Sequence, residues 1–336
     1  DTIYDPFSGR GTTPIEAGLM GRYVVSNDAN PISSILTYPR FFLPTLNEVK
    51  KRLEEINIDY NTTSEIDLSM FYHRDTKAEI VSLKSYLQKR KESGEQDYID
   101  NWIRMVATNR LTGHSPGFFS VYTLPPNQAI SRQRQIEINK KREQAPPYRD
   151  VKKLILNKTK SLLKDIDDNT RSRLALIGES SRFHECDARK TDSIDSNSVQ
   201  LTVTSPPFLN VVQYSRDNWL RCWFNSLNEE EIERSITVCS SLDKWCQVMQ
   251  EVFNELFRIT KAGGWVAFEV GEVRKGKVKL DEHIARIGGN AGFACLGILI
   301  NSQNFTKTSN IWGVNNNAKG TNTNRIVLFH KAPDCL

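Results

Sequence analysis

The alternation of short apolar strands with helices predicts an α/β fold: a largely parallel sheet with helices on both faces and one long helical insertion. Three observations carry this. A complete β-α-β unit fills the first 30 residues, the same alternation resumes after Ser180, and the text between them, from about 41 to 178, is mostly helical and rich in Lys, Glu, Leu and Gln. Strands that alternate with helices imply a largely parallel sheet covered on both faces.

Taken in order, Thr2–Asp5 predicts a strand, Gly9 and Gly11 punctuate it, and Thr13–Gly21 predicts a helix with Gly21 near its end. Tyr23–Ser26 predicts a second strand, ending at Asn27-Asp28-Ala29-Asn30-Pro31. Helices are expected over 46–57, 75–92, 97–110, 127–143 and 149–166, with a loop rich in Gly, Pro and aromatics over Leu111–Gln128. Phe183–Cys186 predicts a third strand, ending at Asp187-Ala188-Arg189, and Gln200–Val203 a fourth, leading to Ser205. A helix over Leu242–Thr260, a strand over Trp265–Val270 after Gly263-Gly264, and a closing antiparallel pair, Phe293–Ile300 with Arg325–Phe329, complete the pattern. The expected organisation is core at 1–40, insertion at 41–177 and core again at 178–336.

A chain of 336 residues with net charge +5 buries a full core and carries only a weak overall signal for a polyanionic partner. The basic excess is local: Ser131–Lys164 holds eleven Lys or Arg against three acidic residues, and reads either as a solvated helical face or as a surface for phosphates. Six cysteines and five histidines are scattered without ligand spacing, which argues against a metal site or a disulfide framework and for a reducing compartment. No apolar run reaches the length of a membrane span and no signal peptide opens the chain, so a cytoplasmic protein is expected.

The first segment with chemistry is Asp5-Pro6-Phe7-Ser8-Gly9-Arg10-Gly11-Thr12-Thr13. Gly9 and Gly11 let the backbone pass close to a ligand. Asp5 can accept from a ligand amine or from turn amides, and Thr12 and Thr13 open a helix whose N-terminus suits a carboxylate. Asp28, at the end of the second strand, stands where a ribose-binding acid belongs. The absence of a third glycine and of a Gly-Lys-Ser/Thr triplet disfavours a nicotinamide or triphosphate ligand.

The second segment is Thr204-Ser205-Pro206-Pro207-Phe208, a rigid turn after an apolar strand, flanked by Asp187-Ala188-Arg189 and by Tyr214–Arg221. With the glycine loop, it resembles the motifs of the S-adenosylmethionine-dependent DNA amino-methyltransferases, which methylate N4 of cytosine or N6 of adenine. The resemblance covers 1–40 and 178–336 and implies a Rossmann-like, seven-stranded class I methyltransferase sheet with a large helical insertion. It implies that Asp5 to Thr13 (Asp5, Pro6, Phe7, Ser8, Gly9, Gly11, Thr12, Thr13) hold the methionine moiety, Asp28 the ribose, and Asp187 with Ala188 the adenine. It places catalysis at Ser205, Pro206, Pro207 and Phe208, and Ser in the first of these positions leans toward cytosine N4.

Such a turn suits that reaction, because an exocyclic amine is a poor nucleophile until its nitrogen pyramidalises. Two acceptors on its N–H groups, Ser205 Oγ and the Pro206 carbonyl, favour that geometry, while Phe208 stacks on a base turned out of the duplex. Methylation of carbon 5 needs a cysteine after a proline, and the chain has no Pro-Cys pair. Double-stranded DNA is the implied partner, with a cognate restriction endonuclease as a second. The family's segment upstream of the glycine loop is not seen before Asp1, and the insertion lies between the second and third strands. That insertion is still the expected DNA-recognition region, with Gln128, Arg132, Arg134 and Gln135 as types that read base edges. Thr306–Thr323, around Trp312, reads as a substrate loop or a plain hairpin connection. An RNA base methyltransferase and a non-catalytic methyltransferase subunit are the rival readings.

Overall fold

The computed structural model describes residues 1–123, 130–207, 214–236, 241–273, 278–302 and 323–333. The chain opens with β1 (Thr2–Asp5), α1 (Thr12–Leu19), β2 (Tyr23–Asn27), α2 (Ile32–Thr37) and a 3-10 turn at Tyr38–Arg40. Six helices follow: α3 (Leu46–Glu55), α4 (Arg74–Glu92), α5 (Tyr98–Thr108), α6 (Arg132–Lys141), α7 (Val151–Leu163) and α8 (Asp168–Ser180). The strand pattern returns with β3 (Arg182–His184), β4 (Val199–Thr204), α9 (Tyr214–Asn225), α10 (Glu229–Ser235) and α11 (Leu242–Ile259). It closes with β5 (Thr260–Val273), β6 (Val278–Lys279), α12 (Leu280–Asn290), β7 (Ala294–Ser302) and β8 (Thr323–His330).

Two compact units result, one of Asp1–Ser34, Ile177–Val212 and Ser235–Leu336, the other of Ile35–Leu176 and Gln213–Arg234. The first holds a sheet of order β3-β2-β1-β4-β5-β8-β7, with the short β6 pairing to β5. Neighbours from β3 to β5 run parallel, while β8 is antiparallel to both β5 and β7. This is the seven-stranded, Rossmann-like class I methyltransferase sheet. The chain winds outward from β1 to β3 on one side and from β4 to β5 on the other, where β8 inserts between β5 and β7, so the strand order switches between β1 and β4. In open α/β sheets, a ligand crevice forms at such a point, beyond the carboxyl ends of the strands.

The packing follows from sequence spacing. Trp245, Met249, Val252, Phe253, Leu256 and Ile259 recur at three- and four-residue steps, form one stripe of α11, and are all buried. They pack with Val266, Phe268 and Val270 of β5, Val327 and Phe329 of β8, and Ile284 and Ile287 of α12. In the second unit, α3 and α5 open on capping boxes, Thr45 with Glu48 and Asp97 with Asp100. The Asp100 carboxylate is fully buried and is held by Arg52 and Arg90, so its charge is matched at both oxygens.

Among the strand boundaries that differ from expectation, two have a clear physical reason. β3 stops at His184 because the backbone N–H and C=O of Cys186 are both taken by the Asn27 side chain, at 3.1 and 2.9 Å, and cannot join the ladder. β5 begins at Thr260, ahead of Gly263-Gly264, because a register shift against β4 absorbs the glycines within the strand.

Candidate active site

The sequence-predicted residues converge on one edge of the sheet. Asp5 ends β1, Asp28 follows β2, Asp187 lies three residues after β3, and Ser205 follows β4. In sheet order this edge reads Asp187, Asp28, the glycine loop and Ser205, with the last two on either side of the β1/β4 switch. Thr12 and Thr13 open α1 beside the loop.

The glycine loop is shaped by its backbone. Gly9 and Gly11 have φ of 51° and 79°, a region costly for any residue with a Cβ. Gly11 is the N-cap of α1 and supplies no side-chain hydrogen bond, so the first-turn amides keep their capacity for an anionic group. Gly11 N donates to Ser8 O at 2.7 Å and Ser8 N to Asn27 O at 2.9 Å, which tie the loop to β2. Ser26 Oγ donates to Ser8 Oγ at 2.8 Å in the buried layer below.

Asp28 meets the loop directly: its Oδ2 accepts from Gly9 N at 2.8 Å and its Oδ1 from Asn30 N at 2.9 Å. Burial pushes this carboxyl up, and the two amides oppose the shift. Each oxygen still has a second acceptor site. Asp187 differs, since Arg189 grips both its oxygens at 2.5 to 3.0 Å and also reaches Glu251. Burial alone would raise Asp187, but the hydrogen bonds and charge of Arg189 hold it below the usual carboxylate range. Ala188 is buried in the core beneath.

Asp5 links the two motifs. Its Oδ1 accepts from Phe7 N at 3.1 Å, within the glycine loop, and from Thr204 Oγ1 at 2.6 Å, the residue before Ser205. Pro6 and Phe7 carry the chain from that carboxyl into the loop. On the other side of the turn, Trp245 Nε1 of α11 donates to Pro207 O at 3.1 Å. Ser205 is exposed and Pro206 buried between these anchors, so the turn offers a hydroxyl on a fixed backbone. Phe208 lies outside the described residues, as do Gln128 and the stretch around Trp312.

Sequence reasoning missed Asn27. Fully buried, it donates to Pro6 O at 3.4 Å and to Cys186 O, and accepts from Cys186 N. One amide thus fixes the glycine loop and the Asp187 loop to the strand that carries Asp28. Only its place at a strand end beside Asp28 hinted at this. Asn27→Ala is expected to cost about 2–4 kcal/mol in denaturant unfolding, because it orphans buried backbone groups of Cys186 and Pro6. A loss within about 0.5 kcal/mol would show that water replaces the amide.

Gln135 was expected among base-edge readers and is corrected. It is fully buried, and its Nε2 donates to Tyr122 O at 3.0 Å and Asn139 Oδ1 at 2.8 Å, so its donors are spent inside the second unit. Arg132 and Arg134 are exposed on α6, the latter paired with Glu137 at 2.6 Å. No group of three metal-ligating side chains occurs among the described residues, and no described helix is long and apolar enough to cross a membrane.

Comparison with known proteins adds three findings. The family model UPF0020, described as an RMKL-like methyltransferase domain, matches residues 1–92. The Type II methyltransferase M.BsoBI of Geobacillus stearothermophilus is 25% identical over 260 residues, 69% of this chain and 48% of that protein. This chain therefore spans about half the length of that curated relative. Among solved structures, a SAM-dependent methyltransferase from Methanosarcina mazei is 9% identical over 99% of this chain and 93% of its own, with a TM-score of 0.36. A Thermus thermophilus protein, provisionally named a DNA modification methylase and complexed with S-adenosyl-L-methionine, is 21% identical over 45% of this chain and 55% of its own, with a TM-score of 0.28. The fold assignment rests on the sheet order and not on these likenesses.

Proposed function

We propose that this chain, a methyltransferase by domain and fold, transfers methyl from S-adenosylmethionine to an exocyclic base amine in double-stranded DNA, cytosine N4 favoured. One observation carries the reading. Asp187, Asp28, the glycine loop and Ser205 leave the carboxyl ends of four neighbouring strands in that order, spanning the switch point.

The cofactor is S-adenosylmethionine, and the residues present fit it. The uncapped start of α1 suits its carboxylate, Gly9 and Gly11 admit close approach, and Asp28 keeps acceptor sites for a ribose diol. Asp5 has acceptor capacity for the ammonium, and Asp187 offers the adenine amine the lone pairs that Arg189 leaves. When bound, the cofactor supplies an electrophilic methyl group on a sulfonium.

This chain's part in the chemistry is to prepare the nucleophile. Ser205 Oγ and the Pro206 carbonyl accept from the target amine's N–H groups and favour its pyramidal form, where the lone pair is free to attack. Acceptors help most when they need not reorganise. The turn meets that condition through Thr204 on Asp5 and Pro207 on Trp245. Phe208 is assigned the stacking face for the extruded base.

The lean toward cytosine N4 comes from serine at the head of the Ser-Pro-Pro-Phe segment, and adenine N6 is the alternative product. The basic stretch over α6 and α7 is assigned to DNA phosphates. A restriction endonuclease of the same system is the proposed partner, and the cytoplasm the proposed location.

The test is expression in a host free of DNA methylation, with modified bases read by sequencing and nucleosides identified by mass spectrometry. N4-methylcytosine at a defined sequence is expected. N6-methyladenine would move the base and keep the chemistry, whereas unmodified DNA would overturn the assignment. In calorimetry with S-adenosylhomocysteine, Asp28→Ala is expected to lose about 1–3 kcal/mol of affinity, the scale of charge-assisted hydrogen bonds. Unchanged affinity would remove Asp28 from the ribose role.

A further inference from the structure

Helix α11 carries a polar stripe beside its apolar one. Glu251, Glu255 and Arg258 recur at steps of four and three residues and so share a face. All three hold the loop that follows β3. Glu255 Oε1 accepts from Thr191 N at 2.8 Å and also from the Thr191 hydroxyl. Arg258 donates to Thr191 O at 3.1 Å, to Ile194 O at 2.9 Å and to Glu255 at 2.7 Å. Burial opposes ionisation of Glu255, yet hydrogen bonds from Arg258 and Thr191 bring its carboxyl down to about 2. Glu251 reaches the loop through Arg189, whose Nη1 donates to its Oε2 at 3.4 Å.

The other side of Arg189 is spent on Asp187. Its backbone N donates to Oδ1 at 2.9 Å, and its Nη2 to Oδ2 at 2.5 Å. Its Nε–H is shared between the two oxygens, each at 3.0 Å. Three hydrogens thus meet a carboxylate with about four lone-pair sites, and one site is left. Backbone amide and guanidinium belong to the same residue, so the carboxylate cannot rotate without losing all three. Lys190 N closes the turn by donating to Asp187 O at 3.0 Å. The Asp187 side chain is 40% exposed, which leaves that last acceptor within reach of a ligand.

We propose that Arg189 is a positioning residue for the cofactor: it fixes Asp187 so that one remaining acceptor meets the exocyclic amine of the adenine ring. This rests on the reading above, which puts adenine at Asp187. An unsupported aspartate exchanges rotamers in water and must be ordered when the ligand arrives, whereas a held one is ordered beforehand. Arg189 also sets the selectivity. A purine with a carbonyl in place of the amine turns an acceptor toward a carboxylate that has only acceptors, and the two repel. That mismatch is felt fully only when Asp187 can neither turn away nor take up a proton. Arg189 prevents the first by its fork and the second by its charge.

The test compares two ligands by calorimetry, S-adenosylhomocysteine and S-inosylhomocysteine, which differ at that amine. The parent is expected to prefer the first about tenfold or more. Arg189→Gln is expected to bind S-adenosylhomocysteine about tenfold more weakly and to retain a preference of about threefold or less. Arg189→Lys keeps the charge and loses the fork, so its preference should fall between the two. Lys190→Gln removes one positive charge from the same loop without touching Asp187, and is expected to match the parent. Arg189 is half-exposed and the loop keeps its Glu255 and Arg258 anchors, so the variants should fold. An Arg189→Gln protein that keeps the parental preference would overturn the positioning role and leave Asp187 at the adenine. Equal weakening of both ligands would make Arg189 a support for the loop alone, and also overturn the proposal. A parent that binds the two ligands equally would remove Asp187 from the adenine, and the proposal with it.

Discussion

Ser205→Ala is expected to slow single-turnover methyl transfer about a hundred- to thousand-fold, with S-adenosylhomocysteine affinity changed less than about twofold. The split follows from where Ser205 sits. Its hydroxyl is exposed at the carboxyl end of β4, whereas the loop assigned to the cofactor belongs to β1 and β2. Removing the hydroxyl leaves the turn's backbone supports in place, because these belong to Thr204 and Pro207. The Pro206 carbonyl still accepts one amine N–H, so residual transfer should remain. Thr204→Val tests the support separately: it should lower the rate less than Ser205→Ala does, by loosening the backbone under the acceptors. A Ser205→Ala enzyme with the parental single-turnover rate would sink the proposed role.

The fold class was legible because its signals are local. Tyr23-Val24-Val25 and Val199–Thr204 are rich in β-branched residues, and the stripe of α11 repeats at helical spacing over 18 residues. What escaped were elements whose definition is tertiary. Helix α12 contains Gly288 and Gly289, weak helix formers, and is held by burying Leu280, Ile284 and Ile287 against the sheet. Helix α8, with its mixed Asp168–Ser180 sequence, carries no comparable stripe, and α10 spans only seven residues.

At the candidate site, residue types and their order along the chain were readable, but shared supports were not. That Asp5 accepts from both Phe7 and Thr204 joins residues 199 positions apart, which no spacing rule reaches. Asn27 and Gln135 look alike in sequence, as amides near an expected ligand or DNA surface. Each is instead fully buried, with its donors spent inside the protein: Asn27 on the carbonyls of Pro6 and Cys186, Gln135 on Tyr122 O and Asn139 Oδ1. Side-chain amides carry donors and acceptors for either task, and only burial tells which one they perform.

Asp5→Asn is expected to stabilise the folded chain while weakening cofactor binding. Burial pushes the Asp5 carboxyl up to about 6, against hydrogen bonds from Thr204, Phe7 and Thr13 that pull the other way. The unfolded chain ionises this group near its ordinary value of about 3.9. Between these two values the folded state binds more protons, so the parent loses stability as pH rises through that window, and the cost is complete above about pH 6. Asparagine keeps an oxygen for Phe7 N and Thr204 and carries no charge to desolvate. Its advantage should therefore be about 2–3 kcal/mol at neutral pH and should vanish below about pH 4. Thermal melts across that range measure the gap, and a gap independent of pH would show that the carboxyl is not shifted. In the same variant, S-adenosylhomocysteine affinity should fall about tenfold or more, since the charged acceptor assigned to the ligand ammonium is gone. A variant that gains stability without losing affinity would leave Asp5 as a brace between the two motifs and take it out of the cofactor site. Opposite signs for stability and binding are what a carboxylate kept buried for its ligand should give.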